Sequence, residues 1–346
     1  MRAPANQELD EPGLESYAEL RAEFETSARA RAVLERSIEI AGRQVQMRLV
    51  GEPIAAWIDP TLGHLASKSV GSSPRLTVDL FPGASGQPGS DGAGRISTSA
   101  DGRFLSQSVG GCYYLLDRTE RRLVGSICSL EEIPSWERVK PLSVPVTTWL
   151  NDDGLSVIHA GLVSLGGQGV LFAGPSGTGK STCALACAVA GFDFLGDDCI
   201  ILDVQHGTGS ANNCIGYSLY STGALDAAHL EKFASPLVHT NGATASRGKQ
   251  LIALHVAQHI QTVPQSKIRA IMLPRLTQEE RSVIRPAAKS DALRLLAPSS
   301  IIKRAVPAGR TLARLAALVN LVPSYWLDMS HHPADIPKAI AALITP

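Results

Sequence analysis

The run Gly174-Pro175-Ser176-Gly177-Thr178-Gly179-Lys180-Ser181-Thr182 has the residue types and spacing to hold a chain of phosphates. It fits the pattern G-x-x-x-x-G-K-[ST] of a phosphate-binding loop. Glycines let the backbone curl so that successive N–H groups point inward at the α- and β-phosphates, at a helix N-terminus. Lys180 would reach the β- and γ-phosphates, and the Ser181 hydroxyl would complete a Mg2+ shell. A glycine-rich turn that merely caps a helix does not need both of these residues.

A second group with chemical potential is Asp197-Asp198, embedded in the apolar run from Phe192 to Leu202. An ionised carboxylate there is costly unless it is paired, metal-bound or solvated in a cleft. Successive strand side chains point to opposite faces, so regular geometry turns only one of the two toward the phosphate loop. That suggests one carboxylate at a reacting centre and the other in a metal shell or holding structure. The plainer alternative is a turn at the strand start, with both aspartates capping backbone. His159 stands alone on an apolar segment, where a satisfied core histidine is the commoner finding. His255 and His259 have helical metal-ligand spacing, but Val256-Ala257-Gln258 lacks the glutamate of zinc hydrolases. His331-His332 adjoins Pro333 and reads as loop, and Arg247 and Lys249 lie in a polar stretch that reads as a solvated loop.

These residues need elements to position them. Gly169 to Ala173 reads as the strand before the loop, and a helix from about Lys180 to Ala190 follows it, ending at Gly191. That helix is apolar on almost every side, so it is expected to be buried on more than one face. Ser156 to Leu165 reads as a strand joined to the next at Gly166-Gly167, and Phe192 to Leu202 as a returning strand. Further on, Ile268 to Leu273 suggests a strand and Thr311 to Leu321 a helix. Upstream, Val45 to Val50 and Arg75 to Leu80 alternate with period two, and Cys112 to Leu116 with Arg122 to Ile127 reads as a hairpin. Pro82 to Gly94 is Gly, Ser and Pro rich and reads as a long flexible loop. The expected organisation is a tail and short helix over 1–36, a β-rich domain over 37–144, and a catalytic domain over 145–346.

At 346 residues the chain can bury two ordinary cores. Its 32 Lys and Arg balance 32 Asp and Glu, so no global field favours nucleic acid or an anionic membrane. No stretch approaches the roughly 18 apolar residues of a membrane span, and the N-terminus lacks a signal-peptide core. A cytoplasmic location is expected. The cysteines, at 112, 128, 183, 187, 199 and 214, show no paired C-x-x-C spacing and read as small buried residues.

Taken in order, His159-Ala160-Gly161, the phosphate loop and Gly196-Asp197-Asp198 resemble the C-terminal catalytic domain of HPr serine kinases. The resemblance implies an α/β fold with a phosphate loop of the phosphoenolpyruvate-carboxykinase type, preceded here by a smaller β-rich domain. Leu321 to Asp328, together with Trp149-Leu150 and His159-Ala160, is similar to the HPr-kinase-like proteins found with lasso-peptide biosynthesis genes. It implies ATP and Mg2+ as cofactors, with residues 174–182 holding the nucleotide and Lys180 acting in catalysis. It further implies Asp197 as proton acceptor, His159 tuning it, and Ser181 with Asp198 on the metal side. The implied acceptor is a seryl hydroxyl of a peptide or protein, in the subgroup a ribosomal precursor peptide. Homo-oligomerisation is left open. Thr182 replaces the acidic residue usual after Lys-Ser, and the family's second signature is missing, which argues against phosphorolysis and against HPr as acceptor. The competing readings are a small-metabolite kinase and a nucleotide-gated regulatory ATPase.

Overall fold

Seven strands between Val33 and Ile127 form the first sheet of the computed structural model, which describes residues 12–67, 74–83, 94–205, 213–225, 239–244, 250–253, 260–301 and 308–344. They are β1 (Val33–Ile40), β2 (Arg43–Val50), β3 (Leu76–Pro82), β4 (Arg95–Thr98), β5 (Phe104–Val109), β6 (Cys112–Asp117) and β7 (Arg122–Ile127), in spatial order β1-β2-β3-β7-β6-β5-β4. The expected hairpin is present as β6 and β7. Helix α1 (Leu14–Ala30) covers one face with Tyr17, Leu20 and Phe24, whose spacing puts them on a single helical stripe. Helix α2 (Glu52–Leu62) covers the other with Ile54, Ile58 and Leu62. The sequence reading has no helix there. Parallel strands β2 and β3 require a crossover, and Glu52–Leu62 supplies it.

Two short helices, α3 (Ser135–Val139) and α4 (Ser143–Asp152), lead into the second sheet. It contains β8 (Ser156–Ile158), β9 (Gly161–Leu165), β10 (Gln168–Phe172), β11 (Asp193–Gly196), β12 (Ile200–Gln205) and β13 (Asn213–Ser218). A small separate sheet holds β14 (Thr222–Leu225), β15 (His239–Thr244) and β16 (Gln250–Ala253). The main sheet is completed by β17 (Gln265–Leu276), β18 (Val283–Pro286) and β19 (Ser324–Met329), its main path running β11-β9-β10-β17-β13-β12-β8. Strands β10, β17 and β19 are parallel neighbours, the arrangement that needs covering on both faces. Helix α5 (Lys180–Val189) and α8 (Asp335–Ile344) share one core with that sheet, and α6 (Lys289–Ile301) and α7 (Ala308–Leu321) share the other.

The segment Ser156–Leu165, expected as one strand, is broken at His159-Ala160, and the run after Phe192 is broken at Asp197-Asp198-Cys199. The halves of each broken strand lie toward opposite ends of the sheet path. Yet β11 pairs with β9 and β12 with β8, both antiparallel, and Gly196 lies opposite Leu162 as Ile200 lies opposite Ile158. One register therefore carries across both breaks. The two broken strands form one antiparallel pair bent at its middle, and the sheet curls round to meet itself at the bend.

The core does not stop at the boundary expected near Pro145. Ile54, Tyr114 and Leu116 belong to the same apolar cluster as Trp149, Ile201, Tyr217 and Tyr220. Polar ties accompany it: the Tyr220 hydroxyl donates to Pro141 O at 2.8 Å, and Arg43 pairs with Asp153. All six cysteines are free thiols and all but Cys128 are buried. Among the described residues no helix is long and apolar enough to cross a membrane.

Candidate active site

Strand β10 is apolar and fully buried from Val170 to Phe172, and Ala173 N extends its pairing by donating to Met272 O at 2.9 Å. The chain then turns through Gly174 to Gly179 before α5 begins at Lys180. Gly174, Gly177 and Gly179 have φ of 149°, 91° and 98°, a region that side chains disfavour. At Gly179 space is short as well, because a Cβ would stand 2.5 Å from Met329 Cε. The Thr178 hydroxyl donates to Pro175 O at 2.9 Å and braces the loop from inside.

Lys180 is buried, and its ammonium donates to Gly174 O at 2.8 Å and Pro175 O at 3.0 Å. Phosphate oxygens offer the same ammonium a stronger, charge-assisted bond. The hydroxyls of Ser181 and Thr182 belong to half-buried residues in the first turn of α5, where helix N–H groups also point outward. Cys183 and Cys187 share the buried face of α5, and desolvation pushes both thiols well above their usual range. They act as packing, and Cys183 Sγ contacts Met329 Sδ at 3.2 Å. Met329 ends β19, whose Asp328 is held by Arg275 and, at 2.9 Å, by Arg285 Nε. The C-terminal strand thus floors the loop.

The bend in the broken strands lies at the same edge of the sheet. Phe172, last in β10, is opposite Gly161, and Leu162 is opposite Gly196, so Asp197 follows two strand spacings from the loop strand, roughly 10 Å. Gly161 permits a close approach here: a Cβ on it would meet Ala184 of α5 at 3.4 Å and the Asp197 α-carbon at 3.6 Å. Asp197 is buried. Asp198 is half-buried and takes two partners, His159 through Nδ1 and Lys140 through its ammonium. The backbone N–H of His159 donates to Ser300 Oγ of α6 at 3.1 Å, which fixes the histidine from behind.

His159, Asp198 and Lys140 line a cavity of about 380 Å³ that also takes walls from β4, β5, α3 and α4. The expectation of carboxylates within a regular strand is corrected by the bend: neither aspartate is a strand residue, so alternation does not decide which way they face. Lys140 lacks any sequence signal, since Arg138-Val139-Lys140-Pro141 has no motif and its partner lies 58 positions on. His331 and His332 lie in a loop, as expected. Arg247, Lys249, His255 and His259 lie outside the described residues. Among the described residues no cluster of three His, Cys, Asp or Glu side chains could hold a metal unaided. A Mg2+ ion bound with substrate phosphates needs fewer, commonly one or two carboxylates with waters.

Comparison with solved structures finds the HPr(Ser) kinase/phosphatase from Coxiella burnetii, at 15% identity and a TM-score of 0.29, across 54% of this chain and 95% of that one. No protein-family model and no curated protein matches the sequence.

Proposed function

We propose that the protein is an ATP-dependent kinase that transfers the γ-phosphate to a seryl hydroxyl of a peptide or protein. One observation carries this reading: a phosphate loop with its lysine, and a carboxylate–imidazole pair opening on a cavity, share one edge of one sheet. A protein that only binds or senses nucleotide has no use for a base beside such a cavity.

Phosphoryl transfer asks mainly for alignment and for neutralisation of spreading charge. The loop backbone and Lys180 hold the β- and γ-phosphates. The Ser181 hydroxyl would help to hold a Mg2+ ion, which when bound would supply further charge neutralisation. The two aspartates divide by their access to the cavity. Asp198, which lines the cavity with His159, accepts the proton of the incoming hydroxyl, while Asp197, buried and not among the cavity's lining residues, serves the metal side. This reverses the division implied by the resemblance, because Asp198 already holds Lys140 and His159 and has little left for a metal. The acceptor oxygen forms its bond to γ-phosphorus as the bond from that phosphorus to the bridging oxygen of ADP breaks. A lasso-peptide precursor is the narrowest form of the reading, supported by the resemblance over Leu321 to Asp328.

The test is incubation with Mg-ATP and candidate serine peptides, followed by mass spectrometry. A peptide that gains one phosphate on serine supports the kinase. Consumption of ATP with no phosphorylated acceptor replaces it with an ATPase.

A further inference from the structure

We propose that the cavity beside Asp198 is the acceptor site and that it takes an uncharged, extended peptide segment carrying the hydroxyl. The proposal rests on the kinase reading above and adds to it the chemistry of the substrate.

Charge is the first argument. The cavity's Lys140 and Asp198 pair with each other, its His159 pairs through Nδ1 with the same carboxylate, and its further polar walls include Gln107, Ser143, Thr147 and Ser299, all neutral. A phosphorylated sugar or an acidic metabolite finds no unmatched lysine or arginine here among the described residues, and burying an unmatched charge is costly. Neutral backbone and small side chains suffer no such penalty.

Gln107 supplies an independent observation. It is 1% exposed, lines the cavity, and its Oε1 has no hydrogen-bond partner among the described residues. Native proteins rarely leave a buried amide oxygen without a donor. A backbone N–H of an extended peptide provides one. Gln107 also stands directly across from Ile96 in the β4–β5 pair, so this one face of the ribbon offers both an acceptor and an apolar contact.

The third argument concerns length. At about 380 Å³ the cavity is near the lower end of ligand pockets, with room for one side chain and its flanking backbone. Two of its lining residues, Ile96 and Trp136, are nonetheless large, apolar and 44% and 37% exposed. They extend an apolar surface outward beyond the volume that a small metabolite would fill. A peptide continuing out of the cavity covers them.

The experiment uses the full chain and two blocked octapeptide libraries, each peptide with a single serine, flanked in one library by Ala, Gly, Val, Leu and Asn and in the other by Asp and Glu. Labelled Mg-ATP reports transfer, and a fluorescent ADP analogue reports the nucleotide site. The uncharged library is expected to be labelled at least tenfold more than the acidic one. Gln107→Leu, which keeps the side-chain volume, and Trp136→Ala, at an exposed position, should each raise KM for the best peptide about tenfold while leaving affinity for the ADP analogue as it was. Equal KM in both variants, or labelling that favours the acidic library, overturns the acceptor site while leaving the kinase reading in place. Failure to bind the ADP analogue, or ATP consumed with no peptide labelled in either library, overturns the kinase reading, and this inference with it.

Discussion

The ammonium of Lys180 rests on two carbonyl oxygens of its own loop, a weaker set of partners than the phosphates proposed for it. Lys180→Ala removes that charge, and nucleotide affinity, measured by titration of a fluorescent ADP analogue, is expected to fall by at least about tenfold, together with transfer. Asp198 is proposed for a different step. Asp198→Asn should leave nucleotide affinity intact and lower phosphate transfer by about 10²- to 10⁴-fold, the usual worth of a positioned base. Asp197→Asn should instead raise the Mg2+ concentration needed for half-maximal transfer. If Asp197→Asn abolishes transfer at saturating Mg2+ while Asp198→Asn retains it, the two roles must be exchanged.

Two elements set the geometry around these residues. The loop–helix junction depends on Gly179, whose φ of 98° is strained for any side chain and whose missing Cβ leaves room for Met329. Gly179→Ala is expected to destabilise the fold by about 1–2 kcal/mol and to weaken nucleotide binding, read by thermal unfolding and titration. Adding Met329→Ala relieves the contact but not the φ strain, so recovery should be partial. The α3–α4 corner carries Lys140 and depends on Glu137, which is fully buried and accepts a hydrogen bond from Leu142 N at 2.8 Å. Leu142 sits in the left-handed region at φ 59°, so this bond holds a strained residue two positions from Lys140. Burial pushes the Glu137 carboxyl from 4.5 up to about 8. The folded protein then keeps a proton that the unfolded chain has lost between those values. Its stabilising effect is whole below pH 4.5 and disappears as pH rises through about 8. Urea midpoints should therefore decline across that window, and Glu137→Gln should flatten the decline.

At the scale of the whole molecule, the apolar cluster running from Ile54 and Tyr114 to Ile201 and Tyr220 joins the two sheets in one core. Calorimetry should show a single unfolding transition. A fragment beginning at Pro145 would expose the faces of Trp149, Ile201, Leu219 and Tyr220 that the first sheet covers. It is expected to aggregate or bind a hydrophobic dye, and to lose transfer, since Gln107, Trp136 and Lys140 leave with the missing half. Two separate calorimetric transitions would mean that the shared core contributes little.

How much of this could be read beforehand follows the range of each interaction. The turn between β10 and α5 was legible because its whole pattern lies in nine consecutive residues between a local strand and a local helix. The β6–β7 hairpin and the burial of α5 were legible for the same reason. Helix α2 was not, because only the parallel pairing of β2 with β3 demands it. Sequence by itself determined that a G-x-x-x-x-G-K-[ST] pattern, a histidine and two carboxylates occur in a fixed order. Only tertiary structure decided that Asp198 meets His159 and Lys140 at a cavity, since that depends on one register carried through two broken strands and on a helix corner from the other half of the chain.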